Sequence, residues 1–148
     1  MASFQGDSPN KGAKSARFDR KGARLLCSEM NQPLVYYKIP TVKYPTAFGR
    51  MCVSAERYRM LEGILRTMQS PCCFAGANDE LVVGASHDDK ICIWSASKGE
   101  GQRKIDRPLR VLSGHRDTVR SVRFNIHSGI LASCGEEGIV KLWSTEAL

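Results

Sequence analysis

Residues 81–94 read LVVGASHDDKICIW, and residues 130–143 read ILASCGEEGIVKLW. Each is an apolar run, a step of small residues, an acidic turn and a second apolar run closing on tryptophan. Trp94 and Trp143 stand 49 residues apart, and each is preceded by a phenylalanine, Phe74 by 20 residues and Phe124 by 19. Self-similarity at such a period marks an array of supersecondary units, each too small to bury its own apolar faces. The runs are short, rich in Val, Ile, Phe and Trp, and broken by Asn, Asp, Gly and Glu, so the units are β rather than α. Strands are predicted at 72–75, 81–85, 90–94, 109–112, 119–125, 130–133 and 139–143. Asp88-Asp89 and Glu136-Glu137-Gly138 suit tight hairpins, and Gly138 can take a positive φ without strain.

A degenerate third copy precedes these two. FDRKGARLLCSEMNQPLVYYKI begins at Phe18, has an apolar run at 25–27 and closes on Tyr36-Tyr37; Phe18 and Tyr37 are again 19 residues apart. The chain therefore divides into a basic flexible leader (1–16), a degenerate partial repeat (17–40), a connector containing an outer strand (41–71, the strand expected at 49–53), a repeat (72–97), a polar loop (98–107) and a second full repeat (108–148). Within the connector, apolar residues at 60, 61, 64, 65 and 68 follow helical spacing, but Gly63 interrupts them, so a strand and a loop with one helical turn are expected.

These residues resemble the WD-repeat family, whose members build β-propellers. The last copy carries the pattern best, with Gly114-His115 placed 28 residues before Trp143 and SVRF at 121–124. The resemblance implies an all-β fold: a partial WD-repeat β-propeller of two to three blades, each an antiparallel four-stranded sheet. Propellers close with 4–8 blades, so 148 residues are expected to be a fragment of a longer one. It also implies a structural hydrogen-bond brace, formed in the last copy by His115, Ser133, Glu137 and Trp143. In the middle copy Asp88 and Trp94 match the brace pattern, while Gly84 stands in the serine position. Glu137 departs from the family's Asp by one methylene. The chemistry suits such a chain, because an indole N–H only donates, a hydroxyl both accepts and donates, and a neutral imidazole does the same through its two nitrogens.

The turns at 114–117, 134–138 and 86–89 are expected on one face. Arg116, Asp117, Arg120 and Glu136 are the candidate protein contacts there. The phrases CCFAGANDELVVGAS and PLVYYKI resemble propellers that serve as substrate receptors of cullin-type ubiquitin ligases. The Trp-Asp-x-Arg signature of many such receptors is absent, its Arg position being Ser97 in one copy and Glu146 in the other. The function expected is a protein–protein interaction scaffold, with partners that are other proteins or further blades covering the open edges.

Composition narrows the alternatives. The chain is 42% hydrophobic and 25% charged, ordinary for a globular protein. No run approaches the ~18 apolar residues of a membrane span, and no secretory signal is visible. A cytoplasmic or nuclear location is expected, with the six cysteines reduced and acting as small hydrophobes. They form no CxxC, so no metal is expected. No phosphate loop occurs, so no cofactor is expected either. Ser133, His115 and Glu137 are the residue types of a nucleophilic triad, but no nucleophile elbow accompanies them, and no enzyme is expected. Of the net charge of +7, residues 1–24 hold +4. That gives a second reading, nucleic-acid association through a basic N-terminal arm, although no aromatic residues are interleaved with its charges.

Overall fold

The computed structural model describes residues 13–29, 34–38, 56–60, 72–85, 88–96, 104–105 and 108–144. They form twelve strands in three sheets and, among the described residues, no helix. The first sheet contains β1 (Ala13–Phe18), β2 (Arg24–Glu29), β3 (Leu34–Lys38), β4 (Glu56–Met60) and β8 (Lys104–Ile105), in that order. The second contains β5 (Cys72–Ala75), β6 (Leu81–Ala85), β7 (Lys90–Ser95) and β9 (Arg110–Ser113). The third contains β10 (Val119–Asn125), β11 (Ile130–Gly135) and β12 (Val140–Trp143). All pairings are antiparallel except β4 with β8.

Register makes the internal repeat a physical one. Phe18 pairs with Leu25 and Leu25 with Tyr37. Phe74 pairs with Val82 and Val82 with Trp94. Phe124 pairs with Leu131 and Leu131 with Trp143. One aromatic row thus crosses the first three strands of every sheet, which is why the Phe-to-Tyr and Phe-to-Trp separations agree so closely. The hairpin turns repeat as well, since Asp89 (φ 62°) and Gly138 (φ 77°) each stand five residues before their tryptophan in the left-handed region.

The sheets stack as blades. β10 lies against β5 and β6, and β5 lies against β1 and β2. Between the second and third sheets, Val83, Ile91 and Ile93 pack against Val119, Val122 and Leu131, all with exposure of 1% or less. Burying each such side chain contributes about 1.5–3 kcal/mol, so this seam is the main core. Sidedness follows from strand alternation: one face of the middle sheet meets the first sheet and its other face meets the third.

Three sequence expectations change. The flexible leader predicted for residues 1–16 is shorter, because residues 13–16 belong to β1, whose backbone satisfies its hydrogen bonds along β2. The outer strand of the connector is Glu56–Met60, paired with β3; the strand expected at 49–53 and the helical turn lie outside the described residues. The polar loop contains the two-residue strand β8. β9 stands within the last repeat as expected, and it pairs with β7 and buries Leu112 in the second sheet. A sequence repeat therefore spans two blades. The outermost strand of one blade leads into the innermost strand of the next.

Candidate functional site: the polar relay and the turn face

The relay begins on strand alternation. Ser133 and Leu131 are two residues apart on β11, so both share a face with Trp143, which pairs with Leu131. The Trp143 indole N–H donates to the Ser133 Oγ at 2.8 Å. Ser133 Oγ is also 2.7 Å from His115 Nε2. His115 Nδ1 is hydrogen-bonded to Glu137 Oε1, which also accepts from the Arg116 backbone N–H at 3.4 Å. The two ends set the direction of the chain. An indole only donates and a carboxylate only accepts. With a neutral imidazole, Ser133 therefore donates to His115 Nε2 and His115 Nδ1–H donates to Glu137. Burial pushes the Glu137 carboxyl up, but the bond from His115 and the backbone N–H groups outweigh it and hold it below the ordinary carboxylate range.

Two glycines make room for this chain. A Cβ on Gly114 would lie 3.0 Å from Trp143 Cη2, so the bare backbone lets the turn lie on the indole edge. A Cβ on Gly135 would collide with the Glu137 carboxylate and stand 2.8 Å from His115 Nδ1. Gly135 therefore accommodates the extra methylene by which Glu137 exceeds an aspartate. Its role was not readable in the sequence, because the collision depends on how the turn folds back over β11. His115 and Ser133 are each 3% exposed. The Ser133 hydroxyl is buried and engaged on both sides, which suits a brace and leaves no exposed oxygen for nucleophilic attack.

The middle blade is different. Gly84 holds the Ser133 register position, since Gly84 pairs with Cys92 as Ser133 pairs with Lys141. Trp94 is fully buried, and its indole N–H has no hydrogen-bond partner. The brace expected from Asp88 and Trp94 is thus corrected: no relay runs through Trp94, because glycine supplies no hydroxyl. Asp88 is exposed at the hairpin turn, and its charge acts on the Cys92 thiol.

The candidate contacts Arg116, Asp117, Arg120 and Glu136 are all exposed. Arg120 is the bulged residue between the Val119 and Ser121 pairings, and it forms an ion pair with Glu136. Asp117 Oδ1 accepts from the Thr118 N–H at 2.7 Å, and the Glu136 N–H donates to the Thr118 carbonyl at 2.9 Å. The two turns at 114–118 and 136–138 are therefore one joined surface.

A second polar cluster was not anticipated. Asp19, 6% exposed, accepts from the Ala23 and Arg24 N–H groups and, at 2.8 Å, from Arg24 Nε. Burial raises its carboxyl, and the bonds from Arg24 and Ala23 more than offset this to hold it below the usual range. Arg24 also donates to the Asp79 carbonyl at 2.7 Å and sits 4.9 Å from the Phe74 ring centroid. The Arg20 backbone N–H donates to Asp79 Oδ2 at 2.7 Å. Two cations of the basic N-terminal arm thus clamp the first blade to the second. The signal available was Asp19 within that arm, five residues before Arg24. Burial pushes the Cys72 thiol to about 12, and those of Cys73 and Cys92 to about 11, which leaves them poor nucleophiles. Among the described residues no three His, Cys, Asp or Glu side chains are grouped to hold a metal, and no helix is long and apolar enough to cross a membrane.

Stacked sheets whose innermost strands lie side by side, each closing on an aromatic third strand, are blades of a β-propeller. The Myceliophteria_thermophila Cps50 (Swd1) β-propeller domain superposes on 89% of the chain with a TM-score of 0.68 at 18% identity, the chain covering 40% of that domain. Residues 106–144 match the family described as "WD domain, G-beta repeat". The chain carries a WD repeat on a partial β-propeller fold. It is 30% identical over 150 residues to human "DDB1- and CUL4-associated factor 5", a match spanning 95% of this chain and 14% of that relative. "GID complex subunit 7" of Schizosaccharomyces pombe is 36% identical over 75 residues, 50% of this chain and 13% of that protein. The chain therefore spans about one-seventh of the length of these curated relatives.

Proposed function

We propose that this chain is part of a protein-binding scaffold acting as a substrate-recognition subunit of a cullin-type ubiquitin ligase, in the cytoplasm or nucleus. The observation that carries this reading is the similarity to the DDB1- and CUL4-associated factor, which runs through 95% of the chain and so includes the degenerate first blade and the connector. A WD repeat alone supports only the coarser scaffold reading, because propellers of many functions share it. The relay supports the scaffold role by fixing the turns at 114–118 and 136–138, which carry Arg116, Asp117 and Glu136 to the surface beside Arg120 of β10. Rigid loops on a packed sheet lose little entropy on binding. Ser97 and Glu146 stand where many receptors carry an arginine for the adaptor, so adaptor contact in this protein falls to other residues.

The test is affinity purification of the tagged protein from cells, followed by probing for DDB1 and CUL4. Stoichiometric recovery of both supports the receptor reading, and their absence under conditions that recover other partners removes it. The alternative reading as a nucleic-acid-associated protein is weakened by the clamp. Two of the six cations in residues 1–24, Arg20 and Arg24, are engaged by Asp79 and Asp19.

A further inference from the structure

The first sheet has one strand more than a propeller blade. β1 to β4 make the antiparallel four of a blade, and β8 adds to the outer edge of β4 as a fifth, parallel strand. β8 comes from the segment between β7 and β9, which are both strands of the second sheet. The edge of β4 therefore takes up a strand from elsewhere in the chain, beyond what the blade itself requires.

The strand it takes up is a poor match. β3 pairs with β4 through five residues, whereas β8 pairs through two, Arg59 with Lys104 and Met60 with Ile105. Parallel pairing is slightly less stable per residue than antiparallel pairing. The first of the two register pairs sets one cation beside another, and like charges on paired residues disfavour pairing. Glu56, Arg57 and Tyr58 have no register partner on the β8 side among the described residues. The outward backbone N–H and C=O groups of that stretch are a template for another strand.

We propose that the outer edge of β4 is a docking site for an extended acidic segment of a partner protein, which adds as a strand in the place of β8. Strand addition matches N–H and C=O groups at the strand repeat, so only a polypeptide can make it. The site is for that reason independent of the ligase reading. Charge sets the chemistry of the segment. Arg57 and Arg59 are two residues apart on β4 and share a face of the strand. An incoming strand with a carboxylate at every second residue sets an opposite charge beside each of them. The segment around β8 offers the reverse, with Arg103, Lys104 and Arg107 against Asp106. β8 thus covers the edge without complementing it, and it lowers the affinity for the acidic segment by the fraction of time it is paired.

The test is fluorescence anisotropy of the 148-residue chain with three labelled peptides: one of alternating Glu and Val, the same peptide N-methylated at every second residue, and its Lys–Val counterpart. The Glu–Val peptide should bind, and the other two should bind at least about tenfold more weakly, one for lost strand hydrogen bonds and the other for its charge. Arg59→Glu should weaken the Glu–Val peptide roughly tenfold. Lys104→Glu, which leaves β4 intact, should weaken it as well by giving Arg59 an opposite charge within the chain. Ile105→Pro removes a backbone donor from β8 and should tighten binding, because the edge is then free more of the time. Hydrogen exchange with the peptide bound should slow in β4 and quicken in β8. Equal affinity for the N-methylated peptide overturns the proposal, because a patch of cations would not sense the backbone. Unchanged or weaker binding in Ile105→Pro overturns it, as does peptide binding that leaves β8 as protected as before.

Discussion

The indole N–H of Trp143 finds the Ser133 hydroxyl at 2.8 Å, while that of Trp94, at the same register position one blade earlier, finds nothing. The difference is one side chain, Ser133 against Gly84. Two blades of one chain thus form a natural comparison of a braced and an unbraced unit. Trp94 compensates by packing: it is fully buried between blades, whereas Trp143 is only half-buried.

Ser133→Ala should destabilise the protein by about 1–3 kcal/mol, because it strips the acceptor from Trp143 and the donor from His115 while both remain largely desolvated. Urea unfolding followed by tryptophan fluorescence measures this. A change below about 0.5 kcal/mol, the range of an ordinary surface substitution, would mean that the relay contributes little.

Gly84→Ser should stabilise the middle blade relative to Gly84→Ala. Both substitutions remove the entropy cost of glycine in a strand. Only serine offers Trp94 an acceptor, so the Ser–Ala difference, expected at about 0.5–1.5 kcal/mol, isolates the hydrogen bond. Equal stability of the two variants would show that the hydroxyl does not reach the indole.

Glu137 sets an acid limb. Its carboxyl is held below the ordinary 4.5 in the folded chain. The folded state therefore binds this proton less readily than the unfolded one. Its stabilisation is fully present above pH 4.5 and is lost as pH falls through the depressed folded value. Glu137→Gln should lower stability at neutral pH and flatten the acid limb of a stability-versus-pH curve. An unchanged slope would count against the assigned hydrogen bond from His115.

Arg24→Lys should loosen the first blade from the second. A lysine cannot bond Asp19, reach the Asp79 carbonyl and stack on Phe74 together, since those contacts use the spread of a guanidinium. The expected cost is about 1–3 kcal/mol, as for other hydrogen bonds to charged groups. Hydrogen exchange should quicken in β1 and β2 ahead of β10 and β11. Uniform quickening would place the clamp's effect on the whole stack.

The sequence by itself determined the strands of the last two blades and their period, and the resemblance to the WD-repeat family named the members of the relay in the last blade. Alternation fixes which residues share a face, and the Phe-to-aromatic spacing fixes the row they form, so both are local properties that composition and spacing carry. The Gly84 substitution was legible as a missing hydroxyl, though not the orphaned indole it leaves. Only the tertiary structure decided that β9 completes the preceding blade, that Gly135 makes space for Glu137, and that Arg24 and Arg20 reach the turn holding Asp79. The contacts to Asp79 join residues 55 and 59 positions apart. A strand edge is satisfied by whichever backbone lies beside it, and a charge by whichever opposite charge the stacking brings near. Neither choice is written in the spacing of a single segment.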